Sequence, residues 1–290
     1  RVAVVTGGGG LLGRRHCEAI KAAGGIPVIL EHNAESGQKI ADELDALFIE
    51  TNIADQDSVQ QAFETVMGKY GKVDILVNNA ANNPKVEAGA KVNFSRVSNF
   101  PLEQWVDDLN VGLLGAFLCV QAFGEQMMKQ KSGVILNIAS ELSVSAPDQR
   151  LYRKEGVPED EQAVKPVTYS VAKAGLVGLT KYFSTYYCPH VRVNALSPGG
   201  VYTSQPPEFV KDISSRIPLG RMAQETEYQG AVLFLCSDAS SYMTGQNLVV
   251  DGGRRAFDDG QIDFEARAFV NFTVDFAHAT MLLDQAIDGR

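Results

Sequence analysis

Cysteine is scarce, tryptophan occurs once and basic charge is outnumbered in this 290-residue sequence. The four cysteines, Cys17, Cys119, Cys188 and Cys236, stand far apart in apolar stretches, with no Cys-x-x-Cys pair or other metal-ligand spacing. That spacing argues against a disulfide framework or a metal site and predicts reduced core thiols in a cytosolic protein. Lys and Arg number 26 against 35 Asp and Glu, a net charge of -9. Phosphate surfaces are bound by clustered basic residues, so neither a nucleic-acid nor an anionic-membrane partner is expected. No apolar run is long enough to cross a bilayer and no basic-then-apolar leader is present, which predicts a cytoplasmic protein. The chain opens at Arg1, without methionine, directly on a strand pattern, so a few leading residues are expected to be missing.

What is present is ordinary globular composition, 45% hydrophobic and 21% charged, enough for one well-buried core. Short β-rich runs alternate with helical patterns, as βαβ units and a parallel sheet require. Strands are expected at Val2–Val5, Val28–Leu30, Ala46–Ile49, Val73–Val77, Val134–Ile138, Val191–Leu196 and Asn247–Val250. Helices are expected at Leu12–Ala23, Ser58–Tyr70, Leu102–Lys129, Thr168–Tyr186 and Glu225–Cys236. Uninterrupted apolar strands such as Val2-Ala-Val-Val fit a sheet covered on both faces. The fold predicted is α/β, a Rossmann-type doubly wound seven-stranded parallel sheet forming a single domain. Its expected extent is residues 1–253, followed by an extension over 254–290. No internal repeat or low-complexity linker interrupts it.

Thr6-Gly-Gly-Gly-Gly-Leu-Leu-Gly13 sits between the first strand and the first helix, the context a dinucleotide fingerprint needs. Glycines let the backbone approach a pyrophosphate, and the positive end of the helix holds its charge. Glu31 closes the second strand, where a carboxylate can accept from the adenosine ribose hydroxyls and repel a 2'-phosphate. This selects NAD over NADP, unless Glu31 is an ordinary solvated acid. Arg14 and Arg15 lie beyond the glycine run on a helix whose exposed face would carry arginine in any case.

Tyr169-Ser-Val-Ala-Lys173 places a phenol and an ammonium one helical turn apart. An ammonium beside a phenol favours the phenolate and moves its pKa towards neutral pH, which makes a proton-transfer pair. The spacing alone also describes a surface helix pair.

Together these motifs, over roughly residues 2 to 253, resemble the short-chain dehydrogenase/reductase family. Its Thr-Gly-x-x-x-Gly-x-Gly matches at Thr6, Gly7 and Gly13, with Leu11 in place of the middle glycine and Gly10 one position earlier as the source of flexibility. Its Asn-Asn-Ala-Gly stands as Asn78-Asn-Ala-Ala81, and its Pro-Gly-x-Val-x-Thr as Pro198-Gly-Gly-Val-Tyr-Thr203. Asn52 replaces the usual aspartate, and its side-chain oxygen could still accept from adenine. The resemblance implies a catalytic set of Asn110, Ser140, Tyr169 and Lys173. Ser140 would hold the substrate oxygen and Tyr169 would exchange its proton. Lys173 would lower the tyrosine pKa and hold the nicotinamide ribose, and Asn110 would anchor a relay water. It further implies NAD contacts from Thr6, Gly7, Gly9, Gly10, Leu12, Gly13, Glu31, Asn52, Ile53, Asn79, Ala80, Ala81, Tyr169, Lys173, Pro198, Gly199, Val201 and Thr203.

The segment between Ser140 and Tyr169 is longer than that family usually has, and it is rich in charge and aromatic tips. Tethered at both ends to catalytic positions, it should flank the pocket mouth. Glu141, Arg150 and Arg153 are the substrate candidates there, with Lys154 beside them, although a solvated loop without a substrate role is the alternative. A second polar loop, Asn82 through Arg96, could form the opposite wall. A polar pocket favours a hydroxylated, anionic small molecule such as a sugar phosphate or nucleotide sugar over lipid or steroid. Three segments, Ala146–Tyr152, Val164–Ser170 and Phe100–Trp105, resemble the flagellin-modification dehydrogenase branch linked to bacterial nonulosonic acid pathways.

Beyond Gly253, Phe269, Phe272, Phe276, Leu283 and Ile287 recur at helical spacing, consistent with a packed amphipathic helix or a poorly ordered extension. Two helices carry apolar residues on more than one face, including Leu113, Leu114, Phe117, Leu118, Phe123, Leu176, Leu179, Phe183 and Tyr187. A homodimer or homotetramer, as in the resembling family, would cover the excess. Readings from other classes are a non-catalytic NAD-binding scaffold or sensor and an NAD-retaining sugar-nucleotide epimerase.

Overall fold

The computed structural model describes residues 1–82 and 95–258. Seven parallel strands form one sheet in the order β3-β2-β1-β4-β5-β6-β7. They are β1 (Val2–Thr6), β2 (Ile26–Glu31), β3 (Leu47–Glu50), β4 (Ile75–Asn78), β5 (Gly133–Ile138), β6 (Val191–Pro198) and β7 (Asn247–Val250). Alternation along the strands divides the core in two. Val2, Val4, Val28, Leu30, Leu76, Ile135 and Val193 face helices α3 (Gln56–Tyr70), α4 (Leu102–Gln130) and α5 (Val167–Tyr186). Ala3, Val5, Ile29, Val77, Leu136 and Leu196 face α1 (Leu11–Ala22), α2 (Ala34–Leu44) and α7 (Gln229–Cys236). A sheet sandwiched this way buries both sides of every central strand, which is why those strands read as continuous apolar runs.

Before Gly253, two α-helices were absent from the expectation. In α2, Asn33 accepts from the Ser36 N–H as a side-chain cap, and Asp45 ends the helix in the left-handed region with φ 44°. The second, α6 (Pro207–Ser214), begins with proline at its first turn and packs Ile213 with Leu151, Ile217 and Met222, apart from the sheet. Helix α7 starts at Gln229 rather than Glu225; residues 225–228 form a turn in which the Glu225 side chain is engaged by Arg15.

Helix α4 is long and apolar enough to cross a membrane by length and composition. Burial of its Cys119, Val120, Phe123 and Met127 against the sheet accounts for that apolarity. Its ladder widens into π turns at Asn110–Leu114 and Val120–Gly124. Cys17, Cys119 and Cys236 are buried, with burial pushing each thiol up to about 12. Cys188, expected in the core, is exposed at the end of α5.

Candidate active site

The chain order reverses across the sheet between β1 and β4, and the cleft at their carboxyl ends is where open α/β sheets bind ligands. Thr6 and Asn79 tie the two strand ends together. The Asn79 and Ala80 N–H groups donate to the Thr6 hydroxyl at 3.0 and 3.1 Å, and the Asn79 amide donates to the Thr6 and Gly7 carbonyls at 3.0 and 3.2 Å. Gly7 has φ +63°, and a Cβ there would meet Ala80 Cα at 2.9 Å; one on Gly13 would stand 2.0 Å from the Gly7 carbonyl oxygen. Gly10 does not supply the special conformation expected of it: its φ of -80° is open to any residue. Leu11, in the family's middle-glycine position, is 47% exposed on the first turn of α1.

The α1 N-terminus has neither a side-chain cap nor an acid in its first turn, so its amides and dipole suit a pyrophosphate. Glu31 is turned to this loop, accepting from Gly9 N–H at 3.2 Å, His32 N–H at 2.9 Å and Asn33 N–H at 3.2 Å. Arg14 pairs with Glu18 and Glu43, and Arg15 with Glu18 and Glu225. Asn52 accepts from Ala54 N–H at 3.1 Å, which closes a tight turn, and buried Ile53 fills the space a Cβ on Gly115 would need. Ala81 lies exposed on this rim. On the other rim, Gly199 N–H donates to the Val250 carbonyl and the Tyr228 hydroxyl to the Gly199 carbonyl. Val201 bridges to Ala223, and Thr203 N–H donates to the Gln205 side chain. These residues fit a dinucleotide lying across the strand ends.

Ser140 follows β5 directly, 6% exposed, with the Leu142 N–H donating to its hydroxyl at 3.2 Å. It is close enough to the Tyr169 phenol to favour the phenolate. Lys173 Nζ is buried and donates to the Ile138 carbonyl at 2.7 Å, which brings the end of β5 and α5 together. Burial, reinforced by the Lys165 charge, pulls the Lys173 ammonium down to about 8. Asn110 opens the π turn of α4, its carbonyl accepting from Gly115 N–H five residues on. Close approach of α4 to α5 depends on glycine, since a Cβ on Gly112 would lie 3.0 Å from Ala172 Cβ.

The phenol differs from expectation. Tyr169 is raised above the ordinary tyrosine value rather than lowered: burial pushes it up, the neighbouring Ser140 hydroxyl pulls it down and the Glu141 charge pushes it up again. Lys173 Nζ stands 5.9 Å from the ring centroid, whereas Lys165 Nζ lies over the ring at 3.8 Å. The sequence reading did not single out Lys165; its only local signal is a lysine four residues before the tyrosine.

The expected substrate residues are placed otherwise. Arg150 is paired with Asp148 at 2.7 Å, and Arg153 with Glu159 at 2.8 Å, both on the surface. Glu141 is buried in a 2.6 Å ion pair with Arg254, a residue not anticipated, from the short helix Arg254–Asp258. Tyr152, its phenol pushed up to about 12 chiefly by burial, packs on Phe209 at 5.9 Å and is near Arg254, Tyr169 and Glu141, which puts the long segment beside Tyr169. Most of the loop from Asn82 to Arg96, and the apolar positions from Phe269 to Ile287, lie outside the described residues. Within that loop, Asn82 donates to Asp108, and Arg96 to the Glu159 and Gln162 carbonyls.

A doubly wound parallel sheet, a glycine-rich β1–α1 turn and a buried Ser-Tyr-Lys group at the strand ends define a nicotinamide-dependent oxidoreductase class. The short chain dehydrogenase model matches residues 1–153, and the Enoyl-(Acyl carrier protein) reductase model residues 158–255. A 3-oxoacyl-(acyl-carrier-protein) reductase of Aquifex aeolicus is 32% identical over 87% of this chain and 96% of its own. An NAD-dependent glycerol dehydrogenase of Listeria innocua is 29% identical over 87% and 93%. The crystal structure of an NAD+-bound xylitol dehydrogenase superposes with a TM-score of 0.76 at 25% identity, covering 87% of this chain and 98% of that one. The chain therefore belongs to the short-chain dehydrogenase family.

Proposed function

We propose that the protein is an NAD-dependent oxidoreductase exchanging a hydride with a polar secondary alcohol or ketone. The observation that carries this reading is Ser140 acting on the Tyr169 phenol beside a buried Lys173 anchored at the end of β5, set next to the uncapped glycine-loop helix. Ser140 would orient the substrate oxygen. A Tyr169 phenol raised by burial stays protonated at neutral pH, ready to donate its proton as a ketone oxygen gains charge. Lys173, fixed by Ile138, would hold the ribose and keep the phenol in place, and Asn110 would anchor a water leading away from it. A nicotinamide bound in the cleft would supply the hydride.

NAD rather than NADP is supported by Glu31 at the β2 end and by Arg14 and Arg15 being paired with acids. Two relatives described as an NAD-dependent glycerol dehydrogenase and an NAD+-bound xylitol dehydrogenase support both that cofactor and a hydroxylated substrate. The substrate class we favour is a sugar phosphate or nucleotide sugar. The segment resemblance supports a role in bacterial surface-glycan or flagellin-glycan biosynthesis, and the acidic composition supports a cytoplasmic enzyme with neither a nucleic-acid nor a membrane partner. A screen of such compounds with NAD and NADH tests this. Tyr169→Phe should bind NAD as the wild type does and lose at least about 100-fold in turnover. A folded Tyr169→Phe protein with substantial activity would refute the mechanism, and binding of NAD without net NADH release on any substrate would favour the scaffold or epimerase reading.

A further inference from the structure

Asp108 lies on α4 two residues before Asn110, with only 5% of its surface exposed. Neutral donors from three segments meet its carboxylate. Gln104 Nε2, one turn earlier on α4, donates to Oδ1 at 2.8 Å, and Asn82 Nδ2, just beyond Ala81 on the cleft rim, donates more loosely to the same oxygen at 3.4 Å. The Thr168 hydroxyl donates to Oδ2 at 2.5 Å. Thr168 is itself buried on the first turn of α5, and it is the residue before Tyr169.

Burying a carboxylate costs free energy unless its oxygens are hydrogen-bonded, and an apolar side chain at this position would avoid that cost. What the acid holds explains its presence. Helix α5 begins on Pro166, which offers no side-chain oxygen as a cap, and it has no acid in its first turn. Asp108 supplies from α4 the anionic partner that this turn lacks, at the end of the helix where the dipole favours one. The next turn is held differently, by Lys173 on the Ile138 carbonyl and by the close approach of Ala172 to Gly112. Successive helix residues point about 100° apart, so a Thr168 fixed towards α4 sets the direction in which Tyr169 leaves the helix.

Resting on the reading of Tyr169 as proton donor, we propose that Asp108 is a positioning residue for the reaction. Through the Thr168 hydroxyl it sets the first turn of α5, and with it the place of the Tyr169 phenol beside Ser140. It acts through Thr168 and touches no reacting atom. Proton transfer tolerates little error in such a placement, since a displacement of about 1 Å can cost about a hundredfold in rate.

In the full-length protein with tyrosine isotope-labelled at Cζ, Tyr169→Phe identifies the Tyr169 resonance. At neutral pH, Ser140→Ala should shift that resonance in the wild-type background, which reads the effect of the serine on the phenol. Most of this shift should be lost in Asp108→Asn and in Thr168→Val backgrounds, whereas Thr168→Ser, which keeps the hydroxyl, should retain it. The double variant Asp108→Asn/Thr168→Val should lose no more than either alone, because both break one bond. Unchanged NAD affinity shows that a variant is folded, and Thr168→Val decides the matter if Asp108→Asn does not fold. On a substrate that the wild type turns over, kcat of Thr168→Val should fall at least about tenfold with KM unchanged.

A Ser140-dependent shift that is absent from the wild type, or that survives intact in a folded Asp108→Asn or Thr168→Val protein, would overturn the proposal. A role confined to stability lowers Tm and leaves the resonance where it was. The two readings fail separately: retained turnover in Tyr169→Phe would remove the proton donor, while the resonances alone decide whether Asp108 positions the phenol.

Discussion

Lys165 Nζ lies 3.8 Å from the centre of the Tyr169 ring, nearer than Lys173 Nζ at 5.9 Å. The two lysines are held from different directions. Lys173 is anchored to the sheet through the Ile138 carbonyl, on the side where the strand ends meet the cofactor cleft. Lys165 approaches from the long segment that flanks the substrate pocket, where the Gln149 side chain holds its backbone. A phenol between them that stays protonated suits reduction of a ketone, because the proton is in place before the hydride arrives.

Cofactor choice should respond to Glu31. Its carboxylate accepts from three backbone N–H groups around the nucleotide loop, and Glu31→Ala removes both that support and the charge facing a 2'-phosphate. KM for NAD should rise and discrimination against NADP should fall by about tenfold, the scale of one lost charged hydrogen bond. Steady-state kinetics with both cofactors measures this, and a wild-type preference for NADP would show that Glu31 is only a surface acid.

The Glu141–Arg254 pair, with side chains 7% and 8% exposed, joins the residue after Ser140 to the segment after Gly253. Removing one partner leaves the other charge buried without its counterion, so Arg254→Met should cost about 3–5 kcal/mol of unfolding free energy. Glu141→Leu combined with Arg254→Met should recover much of that loss. Urea unfolding of the wild type and the two variants decides it; a cost below about 1 kcal/mol for Arg254→Met would mean the pair is solvated in solution.

His16 is fully buried in α1, and burial lowers its pKa from 6.5 to about 4. The unfolded chain therefore binds a proton that the folded chain excludes. This contribution to stability is complete above pH 6.5 and is lost as pH falls towards about 4. The wild type should lose about 2 kcal/mol from this group between pH 7 and pH 5, whereas His16→Leu should not. Parallel pH dependence in the two proteins would indicate that His16 is protonated in the fold.

Self-association should cover the outer faces of α4 and α5. Leu114 and Phe117 are 40% and 39% exposed, and Tyr182 and Tyr186, stacked at 5.9 Å, are 61% and 59% exposed. Sedimentation at low micromolar concentration should report a dimer or tetramer. A mass near 31.4 kDa would contradict it. Phe123, Leu176 and Tyr187, which the apolar pattern also offered for this surface, are instead buried within the subunit.

Local patterns alone determined the sheet, the glycine turn and the order of Ser140, Tyr169 and Lys173. Burial on both faces leaves continuous apolar strands, and a strand–glycine–helix junction is complete within a dozen residues. Helix α2 was missed although Asn33 could cap it, because an apolar stripe of Ile40, Ala41 and Leu44, confined to its second half, is a weak periodic signal. Helix α6 was missed because it packs against a loop segment instead of the sheet. Only the tertiary structure decided which charges enter the pocket. Arg150 and Arg153 find acids two and six residues away and stay outside, whereas Glu141 finds Arg254 across 113 residues and is buried with it. Lys165 reaches Tyr169 because proline and the Gln149 side chain set its backbone before the helix begins. Charge pairing depends on which side chains folding brings within a few ångströms, and no periodicity in the sequence encodes that.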